Sequence, residues 1–330
     1  MNHKKIGVLL INIGSPRSTE VRDVRTYLRE FLSDPRVVDI PWISRQLLLN
    51  LFILPFRPKK SAEAYKKIWL ESEGSPLIAY SKKFQESLGK KLNSGFQVEL
   101  AMRYGQPSVS SALEKLRGCS RLILFPLYPQ YASASTASSM AYVFKELSKR
   151  MDMPSVQVVP PFYQEPGFIE ALKEGILFEK NKLARPWDHL LFSFHGIPER
   201  QLLRTCGFGG EAYCYQMQCF ITAKKVAESL GLTGRDYTVS FQSRLGVTPW
   251  IKPYTDLVLK DLAKQKSIRR LAVACPSFVT DCLETLEEIG MRGREDWIEL
   301  GGEDLHLIPC LNMSDSWVEF CSQKIQEAAW

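Results

Sequence analysis

The chain has 330 residues, of which 45% are hydrophobic and 24% are charged, and this composition excludes a chain that is disordered throughout. Its length exceeds what one compact core usually holds, so two domains are expected. The formal net charge of +7 favours anionic partners, but no block of Lys and Arg is interleaved with aromatic residues, and we expect no nucleic-acid partner.

The first residues, MNHKKIGVLLINIG, superficially imitate a signal peptide, with a basic head before a short apolar run. No small-residue cleavage site follows, and the chain continues directly into a helical pattern. We therefore predict the first strand of a cytoplasmic protein. The eight cysteines are too few for a disulfide scaffold in a chain of this length, and in that compartment they are expected to be reduced.

Apolar runs alternate with helical patterns along the whole chain. Nearly continuous apolar strands of this kind are typical of parallel sheets covered by helices on both faces. The number of strands favours an α/β fold with two four-stranded halves, and the same topology is compatible with both. The prolines between Met151 and Phe168 mark the boundary between the halves. The strand candidates are Ile6–Ile13, Val98–Met102, Leu122–Leu127, Val156–Val159, Leu190–Phe194, Tyr237–Phe241, Leu271–Ala274 and Leu305–Ile308.

Two helices are predicted in detail. After Ser18 and Thr19, residues 21–32 place their apolar side chains on one face, which indicates a helix capped by those hydroxyls. A second helix is expected from Phe278 to Ile289, opened by Pro276.

The segment Pro41–Lys60 departs from this alternation. It contains a nearly unbroken apolar run from Leu47 to Phe56, far too short to span a bilayer, which takes about 20 residues. A buried core helix is one interpretation. The other is an exposed apolar lip that rests on an acidic membrane surface or covers a flat apolar ligand with carboxylates. The cations that flank the run are Arg45, Arg57, Lys59 and Lys60.

The stretch LLFSFHGIPER, Leu190 to Arg200, ends an apolar run in a histidine, a glycine and a proline. This order places His195 at the carboxyl end of a strand, which is the edge where ligands bind in open α/β sheets. A core histidine bonded to the backbone is the alternative.

Three carboxylates follow a later strand in CPSFVTDCLETLEEIG, Cys275 to Gly290. Asp281, Glu284 and Glu288 are spaced by three and four residues, so a helix would place them on one face. A solvated acidic face is the usual meaning of such spacing. If the carboxylates meet His195, they instead predict a site for a hard or borderline cation.

Three cysteines, Cys206, Cys214 and Cys219, lie in the glycine-containing stretch CGFGGEAYCYQMQC. Zinc and iron–sulfur clusters normally take four ligands, and this loop supplies three. We expect reduced thiols without a metal, and a metal held by all three stays the alternative.

Three polar loops follow strands: MRYGQP, LYPQYASASTASS and FQSRLGVTPWIKPYTD. Each combines aromatic residues with Arg, Gln, Ser or Thr. Together they predict a cleft for a large flat aromatic ligand with Arg103 at its polar edge, whereas each aromatic taken alone indicates core packing. The aromatic candidates are Tyr104, Tyr128, Tyr131, Trp250 and Phe278.

The segments FSFHGIPER, LYPQYASASTASS, FQSRLGVTPWIKPYTD and CPSFVTDCLETLEEIG resemble, in this order, hallmark segments of the ferrochelatase family, which inserts ferrous iron into a porphyrin. The resemblance extends from LLINIGSPRS to IPCLNMS, nearly the whole chain. It implies two Rossmann-like, chelatase-type α/β domains, each a four-stranded parallel sheet flanked by helices, with a porphyrin cleft between them. The expected ranges are 1–155 and 156–310, with a C-terminal helix at 311–330 that packs back on the first domain.

By position, His195 matches the family's catalytic histidine and Glu284 its facing glutamate, as metal ligand or as proton acceptor. A neutral imidazole and a carboxylate suit both tasks, because metallation removes two pyrrole protons and desolvates the iron. Glu288 matches an acidic path for iron or protons, which here is shorter because Arg292 stands where some relatives have an acid. The resemblance thus implies His195, Glu284 and Glu288 as ligands of Fe2+.

The resemblance also implies porphyrin-binding residues. Ile13 matches an apolar residue over the macrocycle, and Arg57 a basic residue of the lip near the propionates. Relatives that use coproporphyrin tend to have tyrosine at the position of Ile13 and to lack the lip, so protoporphyrin IX is the implied substrate, met peripherally at the inner face of an acidic membrane through residues 41–60. The other implied porphyrin-binding residues are Arg103, Tyr104, Tyr128, Ser135, Trp250 and Phe278.

Many ferrochelatases carry a 2Fe-2S cluster on C-terminal cysteines, and a smaller group uses an insert just after the catalytic histidine. This chain has only Cys321 near its end, and its insert is short, so we expect no cluster, with Cys206, Cys214 and Cys219 the candidate ligands otherwise. The alternative functions are a coproporphyrin III ferrochelatase or another tetrapyrrole chelatase, and a porphyrin or haem carrier without turnover. Another tetrapyrrole chelatase should have more cations in its cleft than Arg57 and Arg103 provide. A carrier does not need His195 opposite Glu284.

Overall fold

The computed structural model describes residues 5–246 and 248–329, with the backbone alone at positions 208 and 209. These residues contain two four-stranded parallel sheets with the same strand order. In the first, the order is β2-β1-β3-β4, with β1 at Ile6–Ser15, β2 at Phe96–Gly105, β3 at Arg121–Pro126 and β4 at Ser155–Val158. In the second, it is β6-β5-β7-β8, with β5 at His189–His195, β6 at Tyr237–Gln242, β7 at Arg270–Ala274 and β8 at Asp304–Leu307.

All eight predicted strands are confirmed, and so is the α/β fold with two four-stranded parallel sheets. The reason is burial: residues Val8 to Ile11 of β1 and Leu191 to Phe194 of β5 have almost no exposed surface. A strand that is covered by helices on both faces needs apolar side chains on both, and it therefore reads as an unbroken apolar run.

Twelve α-helices surround the sheets in the described part of the chain. They are α1 at Val21–Ser33, α2 at Trp42–Leu47, α3 at Arg57–Ile68, α4 at Pro76–Lys91, α5 at Val109–Lys115, α6 at Ser138–Leu147, α7 at Pro166–Lys182, α8 at Glu199–Gly209, α9 at Tyr215–Ser229, α10 at Thr255–Ala263, α11 at Arg294–Glu299 and α12 at Asp315–Ala328. Three π-helical segments lie at Leu48–Ile53, Ser133–Ala137 and Glu284–Gly293, and a short 3-10 helix lies at Gly210–Tyr213.

Helix α1 forms where its apolar periodicity predicts, and Val24, Tyr27, Leu28 and Leu32 are its buried residues. Its cap differs from the expectation. The Ser18 hydroxyl accepts from the backbone N–H of Glu20 and donates to Asp23 at 2.7 Å, while Glu20 occupies the N-cap position without a side-chain cap bond.

The chain forms two compact units. One contains residues 5–128, 132–161 and 313–329, and the other contains residues 129–131 and 162–312. Helix α12 belongs to the unit of the first sheet, where Trp317 stacks on Phe84 of α4 at 5.6 Å and Glu319 pairs with Lys91. Among the described residues, no helix combines the length and the apolar character that crossing a bilayer requires.

Candidate active site

His195 is the last residue of β5, and its backbone is held on both sides. Its N–H donates to the Ser277 hydroxyl at 3.0 Å, and its carbonyl accepts from the Tyr215 hydroxyl at 2.8 Å. The imidazole Nδ1 lies 2.5 Å from the Gly196 carbonyl oxygen. Because a carbonyl only accepts, Nδ1 carries a proton, and in the neutral form of the ring the lone pair lies on Nε2. The side chain is therefore set as a base or a metal ligand.

Gly196 is required for the turn that follows. Its N–H donates to the Gln242 carbonyl at 2.8 Å. A Cβ at this position would lie 2.8 Å from that same oxygen and 3.2 Å from the Trp250 ring. The turn after His195 thus lies too close to β6 for any side chain.

Two predicted aromatic residues flank the imidazole. The ring centroids of Trp250 and Phe278 lie 6.5 and 6.0 Å from that of His195. The Trp250 indole N–H donates to the Leu245 carbonyl at 2.8 Å, which fixes its ring. The structure therefore brings these three predicted residues together as one partly apolar surface.

The predicted carboxylates Glu284 and Glu288 lie in the π-helical segment Glu284–Gly293, and both are half-buried. Glu288 accepts two hydrogen bonds from Ser243, from its backbone N–H at 2.7 Å and from its hydroxyl at 2.6 Å. Ser243 has φ +65°, a left-handed conformation that turns both donors toward the same carboxylate. π-helical segments are frequent at functional sites.

The pKa of Glu288 is raised above its usual value. Burial is the main cause, and the negative charge of Glu284 adds to it, while the hydrogen bonds from Ser243 and the charge of His195 act in the opposite direction. Glu288 therefore lies close enough to both Glu284 and His195 to respond to their charges, and it holds a proton more readily than an exposed carboxylate.

The predicted helix over Phe278–Ile289 forms only from residue 283, and the prediction that Asp281 shares its face with Glu284 and Glu288 was wrong. The chain is irregular to residue 282, and Asp281 is 3% exposed, with its carboxylate accepting from Thr285 and from the side chain of Asn312. Asp281 is a structural residue that holds the start of the helix. Its spacing of three to Glu284 is coincidental.

A cavity of about 180 Å³ lies beside Glu288. Carboxylates and guanidinium groups both line it, and Arg292 is paired with Glu287 at 2.8 Å while Arg244 is paired with Asp256 at 3.1 Å. Two residues here, the buried Glu287 and Ser243, were not predicted from the sequence. The only signal for Ser243 was its place after β6 in FQSRLG.

Arg103 and Tyr104, on β2 of the first unit, belong to a buried network around Asp34. Asp34 Oδ2 accepts from Arg103 at 2.5 Å, from the Tyr104 hydroxyl at 2.9 Å and from the Ser138 hydroxyl at 2.5 Å. The Arg103 guanidinium also lies over the rings of Tyr104 and Tyr142. Tyr104 has no exposed surface, so it supports Arg103 and does not itself form a surface for a ligand.

The other predicted residues of the first unit occupy separate positions. Ile13 is half-buried near the end of β1, and Ser135 is half-buried in the π-helical segment Ser133–Ala137. Tyr128 is nearly buried, and its hydroxyl lies 3.2 Å from that of Ser139. Arg57 is the half-buried first residue of α3. None of these contacts tests their predicted role toward a porphyrin.

The segment 41–60 is neither a fully buried helix nor a fully exposed lip. Leu49 and Leu54 are buried and attach it to the fold. Arg45, predicted as a flanking cation, is 6% exposed and donates to the carbonyls of Val38 and Ile40, so that prediction was wrong. Six apolar side chains are 53% to 74% exposed: Trp42, Ile43, Leu47, Leu51, Phe52 and Phe56. These six residues are named the apolar lip below.

The cysteine-rich stretch differs from the expectation of three reduced thiols. Cys206 near the end of α8 and Cys214 at the start of α9 form a disulfide, with their Cα atoms 4.5 Å apart. The short 3-10 helix between them folds the chain back over that distance, which suits a disulfide. Cys219 is free and fully buried. Two paired sulfurs and one enclosed thiol do not fit a 2Fe-2S cluster.

Within residues 5–246 and 248–329, no group of three or more His, Cys, Asp or Glu side chains is arranged to hold a metal ion. The predicted set of His195, Glu284 and Glu288 is therefore not a preformed three-ligand site in this structure. The charges of Glu284 and His195 both act on the pKa of Glu288, which shows that the three side chains lie near one another.

Comparison with solved structures identifies the fold. SirB from Bacillus subtilis with Fe3+ matches with a TM-score of 0.58 at 12% identity, over 98% of this chain and 96% of that chain. CbiX, described as the terminal enzyme of sirohaem biosynthesis in denitrifying bacteria, matches with a TM-score of 0.51 at 11% identity, over 98% and 99% of the two chains. At these identities the similarity shows the chelatase fold alone.

Comparison of sequences identifies the family. The family model described as Ferrochelatase matches residues 5–329. A ferrochelatase of Coxiella burnetii (strain Dugway 5J108-111) is 46% identical over 333 residues, covering 96% of this chain and 92% of its own length. One from Legionella pneumophila (strain Philadelphia 1) is 43% identical over 336 residues, covering 97% and 98%. The chain therefore belongs to the ferrochelatase family, the metal chelatases that insert iron into a porphyrin for haem synthesis.

Proposed function

We propose that this chain inserts ferrous iron into protoporphyrin IX, with His195 and Glu284 as the side chains that meet the macrocycle. The observation that carries the proposal is the state of His195. Its Nδ1–H points at the Gly196 carbonyl and its backbone is fixed by Ser277 and Tyr215, so in the neutral ring the lone pair lies on Nε2. A carrier that binds a porphyrin without turnover does not need an imidazole oriented to accept a proton.

Metallation requires that two pyrrole protons leave the ring as the iron enters. Nε2 of His195 accepts one of them in this proposal, and the carboxylates Glu284 and Glu288 take the other and pass it toward the cavity beside Glu288. The raised pKa of Glu288 supports this role, because a base works best when its pKa lies near the working pH. The same oxygens and imidazole suit ferrous iron while it loses water.

The choice of protoporphyrin IX is supported by the apolar lip and by the pairing of Arg103 with Asp34. Coproporphyrin III carries four propionates, whereas protoporphyrin IX carries two propionates and two apolar vinyl groups. Arg103 is paired with Asp34, and Arg57 is the proposed partner of a propionate. The apolar side chain of Ile13 also suits the less charged ring.

An anaerobic assay of the purified chain with ferrous iron tests this proposal. We expect kcat/KM for protoporphyrin IX to exceed that for coproporphyrin III at least about tenfold, equivalent to about 1.4 kcal/mol of barrier. Loss of free-porphyrin fluorescence measures both. The reverse preference would assign the chain to coproporphyrin, and tight binding of both without metallation would assign it to the carriers.

We further propose that the apolar lip rests on an acidic membrane surface, where the apolar porphyrin partitions. Its six apolar side chains are exposed on a segment anchored by Leu49 and Leu54. Lys59 and Lys60 lie in the first turn of α3, directly after this segment, and both are exposed. Exposed apolar groups edged by cations match the boundary between acyl chains and anionic headgroups.

The double substitution Leu51→Ser and Phe52→Ser is expected to weaken partitioning onto vesicles rich in phosphatidylglycerol by about tenfold or more, because both side chains lose apolar area that the membrane would bury. Phe178→Ser on α7 is the matched control, since Phe178 is 62% exposed and Phe52 is 66% exposed. Vesicle cosedimentation measures the binding. Equal partitioning of the double variant and the parent would refute the membrane proposal and leave the lip as a cover for the ligand.

A further inference from the structure

A chain of buried polar side chains crosses one face of the second sheet. Ser193 on β5, Ser240 and Gln242 on β6, and Thr255 at the start of α10 are all nearly enclosed. Ser240 and Thr255 are joined at 2.8 Å, Thr255 and Ser193 at 3.0 Å, and Ser193 and Gln242 at 2.7 Å. Buried polar groups in such a chain hold one another in place.

The direction of these bonds is fixed by chemistry. The Gln242 amide nitrogen lies 2.8 Å from the backbone carbonyl of Glu284, which only accepts, so this end of the amide donates. Its oxygen then accepts the Ser193 hydroxyl proton. Ser193 in turn accepts from Thr255, and Thr255 from Ser240. Each of the three hydroxyl groups therefore donates once along the chain, and one N–H of the Gln242 amide donates to the Glu284 carbonyl.

Gln242 also contacts the catalytic strand. It is the register partner of His195 in the β5–β6 pairing, and its backbone carbonyl accepts the N–H of Gly196 at 2.8 Å. One residue, 3% exposed, therefore holds the turn after His195 with its backbone and the first residue of the π-helical segment with its side chain.

We propose that Gln242 is a positioning residue that fixes Glu284 at the correct distance from His195. The proposal rests on the proposed function, since both side chains must meet one substrate. Gln242 touches neither porphyrin nor iron in this scheme. Its side chain bonds the backbone of Glu284 to β6, the strand that pairs with His195. The distance between the Glu284 carboxylate and the His195 imidazole therefore stays fixed when the π-helical segment moves.

Removal of the hydrogen bond from Gln242 to the Glu284 carbonyl should lower kcat more than it changes KM for the porphyrin. A misplacement of about 1 Å costs on the order of 10²-fold in rate, so we expect kcat of Gln242→Met to fall about 10- to 100-fold. KM for the porphyrin should stay within about twofold, because the residues predicted to hold the ring are unchanged. Methionine is nearly isosteric with glutamine and keeps the packing.

Gln85→Met is the matched control. The Gln85 amide on α4 donates to the Val98 carbonyl at 2.9 Å, the same kind of bond on the other sheet. Hydrogen exchange of the peptide that contains residues 284–293 gives a second measurement that does not depend on activity. Faster exchange there in Gln242→Met, but not in Gln85→Met, together with the fall in kcat, supports the proposal.

Three results would overturn it. The first is a kcat of Gln242→Met within about twofold of the parent. The second is unchanged hydrogen exchange of residues 284–293 in that variant. The third is an equal fall in kcat in Gln242→Met and Gln85→Met, which would show a general structural role for Gln242. If Gln242→Met fails to fold, Gln242→Asn replaces it, because the shorter amide cannot reach both Ser193 and Glu284. A parent without metallation would refute the proposed function alone, while the exchange measurement would still decide whether Gln242 holds Glu284.

Discussion

Replacement of His195 by alanine is expected to lower kcat for metallation by about 10²- to 10⁴-fold, the range that a positioned general base contributes. The imidazole lies at the end of β5 with its Nδ1–H directed at the Gly196 carbonyl, so its loss removes the proposed acceptor of the first pyrrole proton. Initial rates of the anaerobic assay measure the effect.

His189→Ala is the control for this substitution. His189 begins the same strand, is 5% exposed and bonds the Thr238 hydroxyl at 2.9 Å, so its removal disturbs β5 without touching the proposed site. We expect kcat close to that of the parent for this variant. Metallation by His195→Ala within about tenfold of the parent, equivalent to about 1.4 kcal/mol, would show that His195 is not the base.

Replacement of Asp34 by asparagine is expected to destabilise the first unit by about 3–5 kcal/mol, because it leaves the buried Arg103 guanidinium without its counter-charge. Urea unfolding at neutral pH measures this loss. Glu73→Gln is the control: it breaks the exposed ion pair with Lys83, and such pairs contribute at most about 1 kcal/mol.

The same residue predicts a dependence on pH. Burial favours the neutral form of Asp34, but hydrogen bonds from Ser138, the Arg36 N–H and Tyr104, together with the charge of Arg103, outweigh it and hold the pKa below the usual value. Because the folded pKa is the lower one, the stabilisation is complete above the unfolded pKa of about 3.9 and is lost as the pH falls through the folded pKa. The difference in stability between parent and Asp34→Asn should therefore shrink below about pH 4. A constant difference down to pH 2.5 would contradict it.

The sheets could be predicted because their strands are buried on both faces, which leaves an unbroken apolar run in the sequence. The start of the π-helical segment could not. The spacing of Asp281, Glu284 and Glu288 suits a regular helix, and only the tertiary bonds of Asp281 to Thr285 and Asn312 show that the first of the three lies outside it. A periodic pattern cannot distinguish a helical residue from one that holds the helix in place.

The remaining errors have the same origin. Arg45 lies beside an apolar run, as a surface cation would, but its guanidinium is used by two carbonyls of a neighbouring loop. The disulfide of Cys206 and Cys214 depends on how a short 3-10 helix folds the chain back, which no spacing rule predicts. His195, by contrast, could be assigned to the end of a strand from its neighbours alone.

The identical strand order of the two sheets makes β1 the counterpart of β5 and β2 the counterpart of β6. Each central strand has a glycine near its carboxyl end, with Ile13-Gly14 inside β1 and His195-Gly196 at the end of β5. In each half the glycine lies against a backbone carbonyl of the adjacent edge strand, Tyr104 for Gly14 and Gln242 for Gly196, where a Cβ would clash. A close approach of two backbones therefore recurs beside two predicted site residues, the apolar Ile13 in the first half and His195 in the second.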